Sequence, residues 1–241
     1  MAFIKKPRLL PKVFLGQIAL PWVDQCKHLG NIIKNVSDGF QEDMRVKRAK
    51  YISKNIEINQ EFYFAASATR VQVNNIWNTH FSGSPLWNLF SPGANRIISS
   101  YNRSIKCMMK LPLATHRYML EPLSGEKPAM VILADRFLSF MDKIEKSSKS
   151  AIKMLREEAI KDVRSTTGAN YRGIMLLAGE TGIDKVNRDS IKKVNYYEVK
   201  KEDEWKVKIA TDLMDIREGI SEVEGFQQKE MGNLLNSICV S

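Results

Sequence analysis

The chain has 241 residues, of which 44% are hydrophobic and 27% charged, with a net charge of +10. That composition excludes a disordered chain, and no apolar run approaches the roughly 20 residues that a membrane span needs. Three widely spaced cysteines, Cys26, Cys107 and Cys239, exclude a disulfide framework and a zinc finger.

The charge is unevenly spread. Residues 1–120 hold 17 Lys/Arg against 6 Asp/Glu, whereas residues 121–241 hold 20 against 21. A basic half joined to a near-neutral half is what a polyanion partner requires, and it is also what a solvated basic surface looks like. The N-terminus, MAFIKKPRLLPKVFLG, is basic but lacks the apolar core of a signal peptide. The expectation is an intracellular protein of nucleus or cytoplasm, with no membrane partner.

The first elements read as short strands. Val13 and Leu15 pair with Ile18 and Leu20 in a hairpin turning at Gly16-Gln17, and a further strand runs near Lys27–Ile33. From Asp38, a candidate N-cap, to about Asn59 the pattern is helical, with Phe40, Met44, Tyr51 and Ile52 on a loose apolar face. A second helix starts near Ser67 and carries Val73, Ile76, Trp77, His80 and Phe81 at helical spacing. A third spans about Gly93–Leu111, faced by Ile97, Tyr101, Ile105 and Met108 and ended by Pro112. After a proline-rich loop, a fourth covers about Ala129–Lys146, with Leu133, Phe137, Phe140, Met141 and Ile144 inward. A fifth follows the SSKS linker at 147–150, with Ile152, Leu155, Ala159 and Val163; then come a helix of about one to three turns around Tyr171–Leu177 and helices over about 203–218 and 226–238. The predicted fold is mainly α: a helical, thumb-like bundle with a small N-terminal antiparallel β element. The predicted divisions are 1–36, 37–146 and a charged helical region at 147–241.

The sequence holds no phosphate loop, no GxGxxG, no HExxH and no GxSxG. Its three histidines, His28, His80 and His116, read as packed or solvated side chains. The basic half has only Asp24, Asp38, Glu42, Asp43, Glu57 and Glu61 as acids, and adjacent Glu42 and Asp43 point to different faces of a helix. No metal site and no catalytic residue is expected. The aromatics Trp77, Phe81, Trp87, Phe90 and Tyr101 fit core packing better than base stacking. The remaining candidate is the basic helix, where Arg45, Lys47, Arg48, Lys50 and Lys54 fall within ten positions. Such density lets side chains reach successive phosphates of a duplex. The competing reading pairs some of them with Glu42, Asp43 or Glu57.

Five segments in order carry a resemblance. They are VDQCKHLGNII at 23–33; a charged helix with Asp43, Arg45, Arg48 and Tyr51; Leu86-Trp87 after a short loop; Tyr101, Asn102, Ser104, Ile105 and Lys106; and LPLATHRYMLEPLSG at 111–125. Together they resemble the end of the palm and the thumb of non-LTR retrotransposon reverse transcriptases of the jockey kind, over roughly residues 12–145. The resemblance implies a thumb that grips an RNA or RNA–DNA duplex through its backbone. It places Lys27 and His28 beside the primer strand; the basic helix itself offers Lys47, Arg48, Lys50 and Lys54 as the main candidate duplex contacts, with Arg103 and Lys106 as second-rank candidates.

The departure from the family decides activity. The catalytic aspartates of that family, in a YADD or FADD box, lie upstream of the KHLG-type element, and no such box occurs in this sequence. Mg²⁺ is implied for the complete enzyme, and no cofactor is expected for this chain, which is not expected to polymerise by itself. The missing palm and fingers are then an implied partner, and one side of the β element should lie uncovered. The alternative is a helical protein-interaction module, or a retroelement remnant without function.

Overall fold

The computed structural model describes residues 13–34 except 16, 22, 24 and 29, and residues 40–77, 81–162, 164–179, 191, 193, 203–220 and 227–240. The described residues are mainly helical, with a small antiparallel β element at the N-terminal end, as the sequence predicts. Strands β1 (Val13–Leu15) and β2 (Ile18–Leu20) pair in the expected register, Leu15 opposite Ile18. The further strand proves to be a second hairpin, β3 (Gln25–His28) against β4 (Asn31–Lys34), turning at Gly30 with φ 79°. Glycine takes that left-handed conformation at little cost. Phe14 and Ile18 are exposed on the first hairpin, by 56% and 70%, and the register puts them on opposite faces, so exposure is not confined to one side. Trp22, between the two hairpins, lies outside the described residues.

Helix α1 (Gln41–Glu61) runs past its sequence-based end, and its N-cap residue is Phe40 without a side-chain cap. Asp38 lies outside the described residues. The acids Glu42 and Asp43 stand in the first turn, where the helix dipole favours them. The buried face of α1 is Asp43, Met44, Lys47, Tyr51, Asn55 and Ile58, whereas Ile52 is exposed. In helix α2 (Ser67–Trp77) Val73 is half-buried, and the side chains of Ile76 and Trp77 lie outside the described residues. The buried residues of α2 include Ser67, Arg70, Val71 and Asn74, a mostly polar row at helical spacing. His80 lies outside the described residues, and Phe81 is buried beyond the helix end.

Helix α3 (Pro92–Met108) is capped by Ser91, whose hydroxyl accepts from the Ala94 N–H, and it buries Ile97, Tyr101, Ile105 and Met108 as predicted. It ends four residues before Pro112. Lys110 closes it at φ 54°, with Lys110 N–H on the Cys107 carbonyl (3.1 Å) and Leu111 N–H on that of Lys106 (2.8 Å). This is a Schellman closure with lysine where glycine usually stands. The following loop holds a short helix, α4 (Leu120–Ser124). Helix α5 (Ala129–Glu145) buries Leu133, Phe137 and Met141. Helix α6 (Ser150–Lys161) has no fully buried residue: Ile152, Met154 and Leu155 face outward, and Val163 is outside the described residues. Helices α7 (Thr166–Ala178), α8 (Glu204–Ile220) and α9 (Gln227–Val240) complete the order.

One core spans these elements. Tyr51, Phe81, Trp87 and Tyr101 join in it with Phe137, Ile174, Leu213 and Cys239, so it runs through the 146/147 boundary. Asn170 of α7 makes the junction. Its side chain accepts from the Leu89 N–H at 2.9 Å and donates to the Trp87 carbonyl at 2.7 Å. Trp87 in turn donates its indole N–H to Asp43 Oδ2 at 2.9 Å, and Asp43 Oδ1 accepts from the Ile32 N–H at 2.9 Å. Lys47 Nζ lies 3.2 Å from the same carboxylate and bonds Asn31 Oδ1. Gly83 passes so close that a Cβ there would collide with both Asn31 Oδ1 and Lys47 Nζ.

Two predictions follow from this packing. Asp43→Asn leaves the buried Lys47 ammonium without its counter-charge and lowers unfolding free energy by about 3 kcal/mol in urea titration. Burial pushes the Tyr51 and Tyr101 phenols well above their ordinary value of 10. The folded chain therefore keeps protons that the unfolded chain releases, and stability falls as pH rises past that value. The Tyr101 hydroxyl has no hydrogen-bond partner among the described residues. Tyr101→Phe changes stability at pH 7 by less than about 1 kcal/mol and flattens the alkaline decline, readable from melts between neutral and alkaline pH.

Candidate nucleic-acid interface

Helical geometry divides the five cations of α1 among different surroundings. At 100° per residue, Lys50 lies about 160° around the helix from Arg48, so the cluster cannot present a single face. Lys47 belongs to the buried row: its side chain is 8% exposed and its ammonium lies against Asp43 and over the Trp87 ring at 5.6 Å. Lys47 is thus a structural cation, which corrects its reading as a phosphate contact. Lys54 pairs with Glu57 at 2.5 Å and Arg45 with Glu42 at 2.6 Å. Both are the intrahelical pairs of the competing reading. Exposed pairs of this kind contribute little to stability and give way readily to a stronger anion. Lys50 is exposed.

Arg48 is held differently. Its Nε donates to Ser100 Oγ of α3 at 2.7 Å, and Ser100 donates in turn to the Arg96 carbonyl at 2.9 Å. α1 and α3 run in the same direction here, with Met44 beside Gly93 and Tyr51 stacked on Tyr101 at 6.3 Å. The seam between them opens into a groove of about 160 Å³ whose lining includes Glu42, Arg45, Arg48 and Arg96, with Met44 and Gly93 below. A Cβ at Gly93 would stand 2.9 Å from the Met44 methyl carbon, so glycine permits the close approach. Three guanidinium groups against one carboxylate give the groove a positive field, and the Ser100 bond aims the Arg48 fork.

Arg96 is a residue that the sequence reading missed. It precedes Arg103 by seven positions, two helical turns, so the two share a stripe turned away from the Ile97–Tyr101–Ile105 face. That periodicity was the available signal. Arg103 is exposed on this stripe. Lys106 is not: it is buried, and its ammonium donates to the Leu113 carbonyl at 2.7 Å. Burial, and then the like charge of Arg117, push its pKa down. Lys106 closes the loop after α3, which corrects its reading as a duplex contact.

Lys27 and His28 are exposed on β3, opposite Ile32 and Asn31. Those two partners bind Asp43 and Lys47 in the first turns of α1, so the hairpin sits at the end of α1 that forms the groove. The hairpin is thus attached on the Asp43–Lys47 side of α1, about 160° around the helix from Arg45.

Both Asp43 oxygens are taken by N–H donors, Glu42 faces Arg45, and among the described residues no three His, Cys, Asp or Glu side chains could share an ion. No helix among the described residues is long and apolar enough to cross a membrane. Comparison with protein-family models, with curated proteins and with solved structures finds no match for this chain.

The burial of Lys47 and Lys106 has a direct test. Lys47→Met and Lys106→Met each lower unfolding free energy by about 1–3 kcal/mol in urea, while the salt dependence of duplex binding by the folded variants stays that of the parent.

Proposed function

We propose that this chain is a nucleic-acid-binding thumb segment of a non-LTR retrotransposon reverse transcriptase, gripping an RNA or RNA–DNA duplex by its phosphate backbone. The observation that carries this reading is the α1–α3 groove, where Arg45, Arg48 and Arg96 stand together. The excess of cations in residues 1–120 and the order of the five segments from VDQCKHLGNII to LPLATHRYMLEPLSG support it. Backbone contacts by guanidinium groups position a duplex without reading its sequence. Lys27 and His28 extend the contact at the hairpin, and Arg103 extends it along α3. Polymerisation is assigned to the complete enzyme, whose palm and fingers are the protein partner of this segment.

A second reading, a helical interaction module, draws on α6, which presents Ile152, Met154 and Leu155 outward. It needs no polyanion and leaves the groove as ordinary surface.

Binding of a labelled RNA–DNA duplex across a salt series separates the two. The parent chain should show a slope of several released counterions. The triple variant Arg45→Ala, Arg48→Ala, Arg96→Ala should lower that slope by about 3 and weaken binding alike for unrelated sequences. An unchanged slope in a folded triple variant removes the duplex reading and leaves the interaction module.

A further inference from the structure

A second cationic site lies at the other end of α1. Past Glu61 the chain turns through Tyr63 and Phe64 into α2, and α8 and α9 pack nearby. Between them is a cavity of about 470 Å³ whose lining includes Tyr63, Phe64, Arg70, Lys110, Arg217 and Glu218. The distance along α1 from Arg48 to Glu61 is about 20 Å at 1.5 Å per residue, so this cavity is separate from the groove.

Its charges do not balance. Three cations meet one carboxylate, and that carboxylate is engaged: Glu218 accepts from the Ser67 N–H at 3.1 and 3.2 Å, capping α2. Arg217 holds the frame, donating to the Met109 carbonyl at 2.7 Å and standing 3.8 Å from Glu218. Arg70 is 2% exposed and donates through Nη2 to Ser67 Oγ at 3.1 Å, while its buried Nε has no acceptor among the described residues. A buried guanidinium with an unmet donor is costly. Burial, and then the charges of Arg70 and Arg217, push the Lys110 ammonium down, the expected effect of crowded cations. Beside them Phe64 is 98% exposed, edge-on to Tyr63 at 5.2 Å, and the Lys110 ammonium sits 5.4 Å from the Tyr63 ring.

We propose that this cavity binds a phosphate group, held by Arg70, Lys110 and Arg217, with the attached base against the Tyr63–Phe64 pair. Donors from three elements surround a tetrahedral oxyanion better than a flat carboxylate. Exposed rings beside a phosphate site are a stacking platform that accepts any base. The ligand class is a nucleoside phosphate, either free or at the end of a strand. The site stands whether or not the groove binds a duplex.

Lys110 makes the test clean. Its φ of 54° is a conformation that glycine adopts without strain, so Lys110→Gly removes the charge without disturbing the fold. The probes for calorimetry on the full chain are AMP, adenosine and inorganic phosphate, with 5′-phosphorylated and 5′-hydroxyl oligonucleotides. AMP should bind at least tenfold more tightly than adenosine, and more tightly than inorganic phosphate. Lys110→Gly should weaken AMP about tenfold while its melting temperature holds or rises. Phe64→Ala should weaken AMP and leave inorganic phosphate unchanged. The groove triple variant should bind AMP as the parent does. A 5′-phosphorylated strand binding more tightly than AMP makes the strand end the source, and equal affinity makes it the free nucleotide. Equal affinity for AMP and adenosine, or a folded Lys110→Gly with parental AMP affinity, overturns the proposal.

Discussion

The Asp43 carboxylate accepts from the Ile32 backbone and the Trp87 indole and faces the Lys47 ammonium, three donors from three parts of the chain. Each is fixed in turn by something else. Ile32 belongs to the β3–β4 hairpin, Trp87 to the loop that Asn170 pins from α7, and Lys47 to the row that reaches Tyr51. A buried ion pair of this kind contributes little net stability, because desolvating two charges offsets most of their attraction. Its effect is selective: an arrangement that separates these partners leaves a charge unpaired in the interior. The hairpin, the α1 start and the α7 contact are therefore settled together.

This constraint also decides which cations face water. The row that binds Asp43 takes Lys47 inward, and the rest of α1 is then oriented. Arg45 and Arg48 turn toward α3, while Lys50 falls on another side. Ser100 completes the placement by holding Arg48 at the seam. The groove is thus a consequence of the core, and the hairpin that presents Lys27 and His28 is attached at the same turn of helix.

The apolar period of α3 and α5 was legible because each buries one face against neighbours that are themselves apolar. Ile97, Tyr101, Ile105, Leu133 and Phe137 occupy the positions that periodicity gives them. The first hairpin was legible from alternation around Gly16-Gln17. Lys47 was not, since a lysine four residues after an aspartate fits a solvated pair as well as a buried one, and only Trp87 and Ile32, far along the chain, decide between them. The polar inner face of α2 was illegible for the same reason. Ser67 and Arg70 are buried because Arg217 and Glu218 come to them across about 150 residues of sequence. The exposure of α6 was illegible because an amphipathic pattern states which face is apolar, and not whether anything covers it.

The groove and the cavity are coupled through the fold but not through their fields. At physiological ionic strength the Debye length is about 8 Å, well under the roughly 20 Å of helix between Arg48 and Glu61. Charges lost at one end therefore leave affinity at the other nearly unchanged, and substitutions in the two sites add. Salt acts on them unequally as well. Arg45 and Arg96 are exposed and screened, whereas Arg70 and Arg217 are buried, where screening is weaker. On the proposed reading, a polyanion held only at the groove would dissociate steeply as salt rises, and one that also fills the cavity would retain a salt-resistant component. The shape of the salt dependence thus carries information about how many of the two places a given nucleic acid occupies.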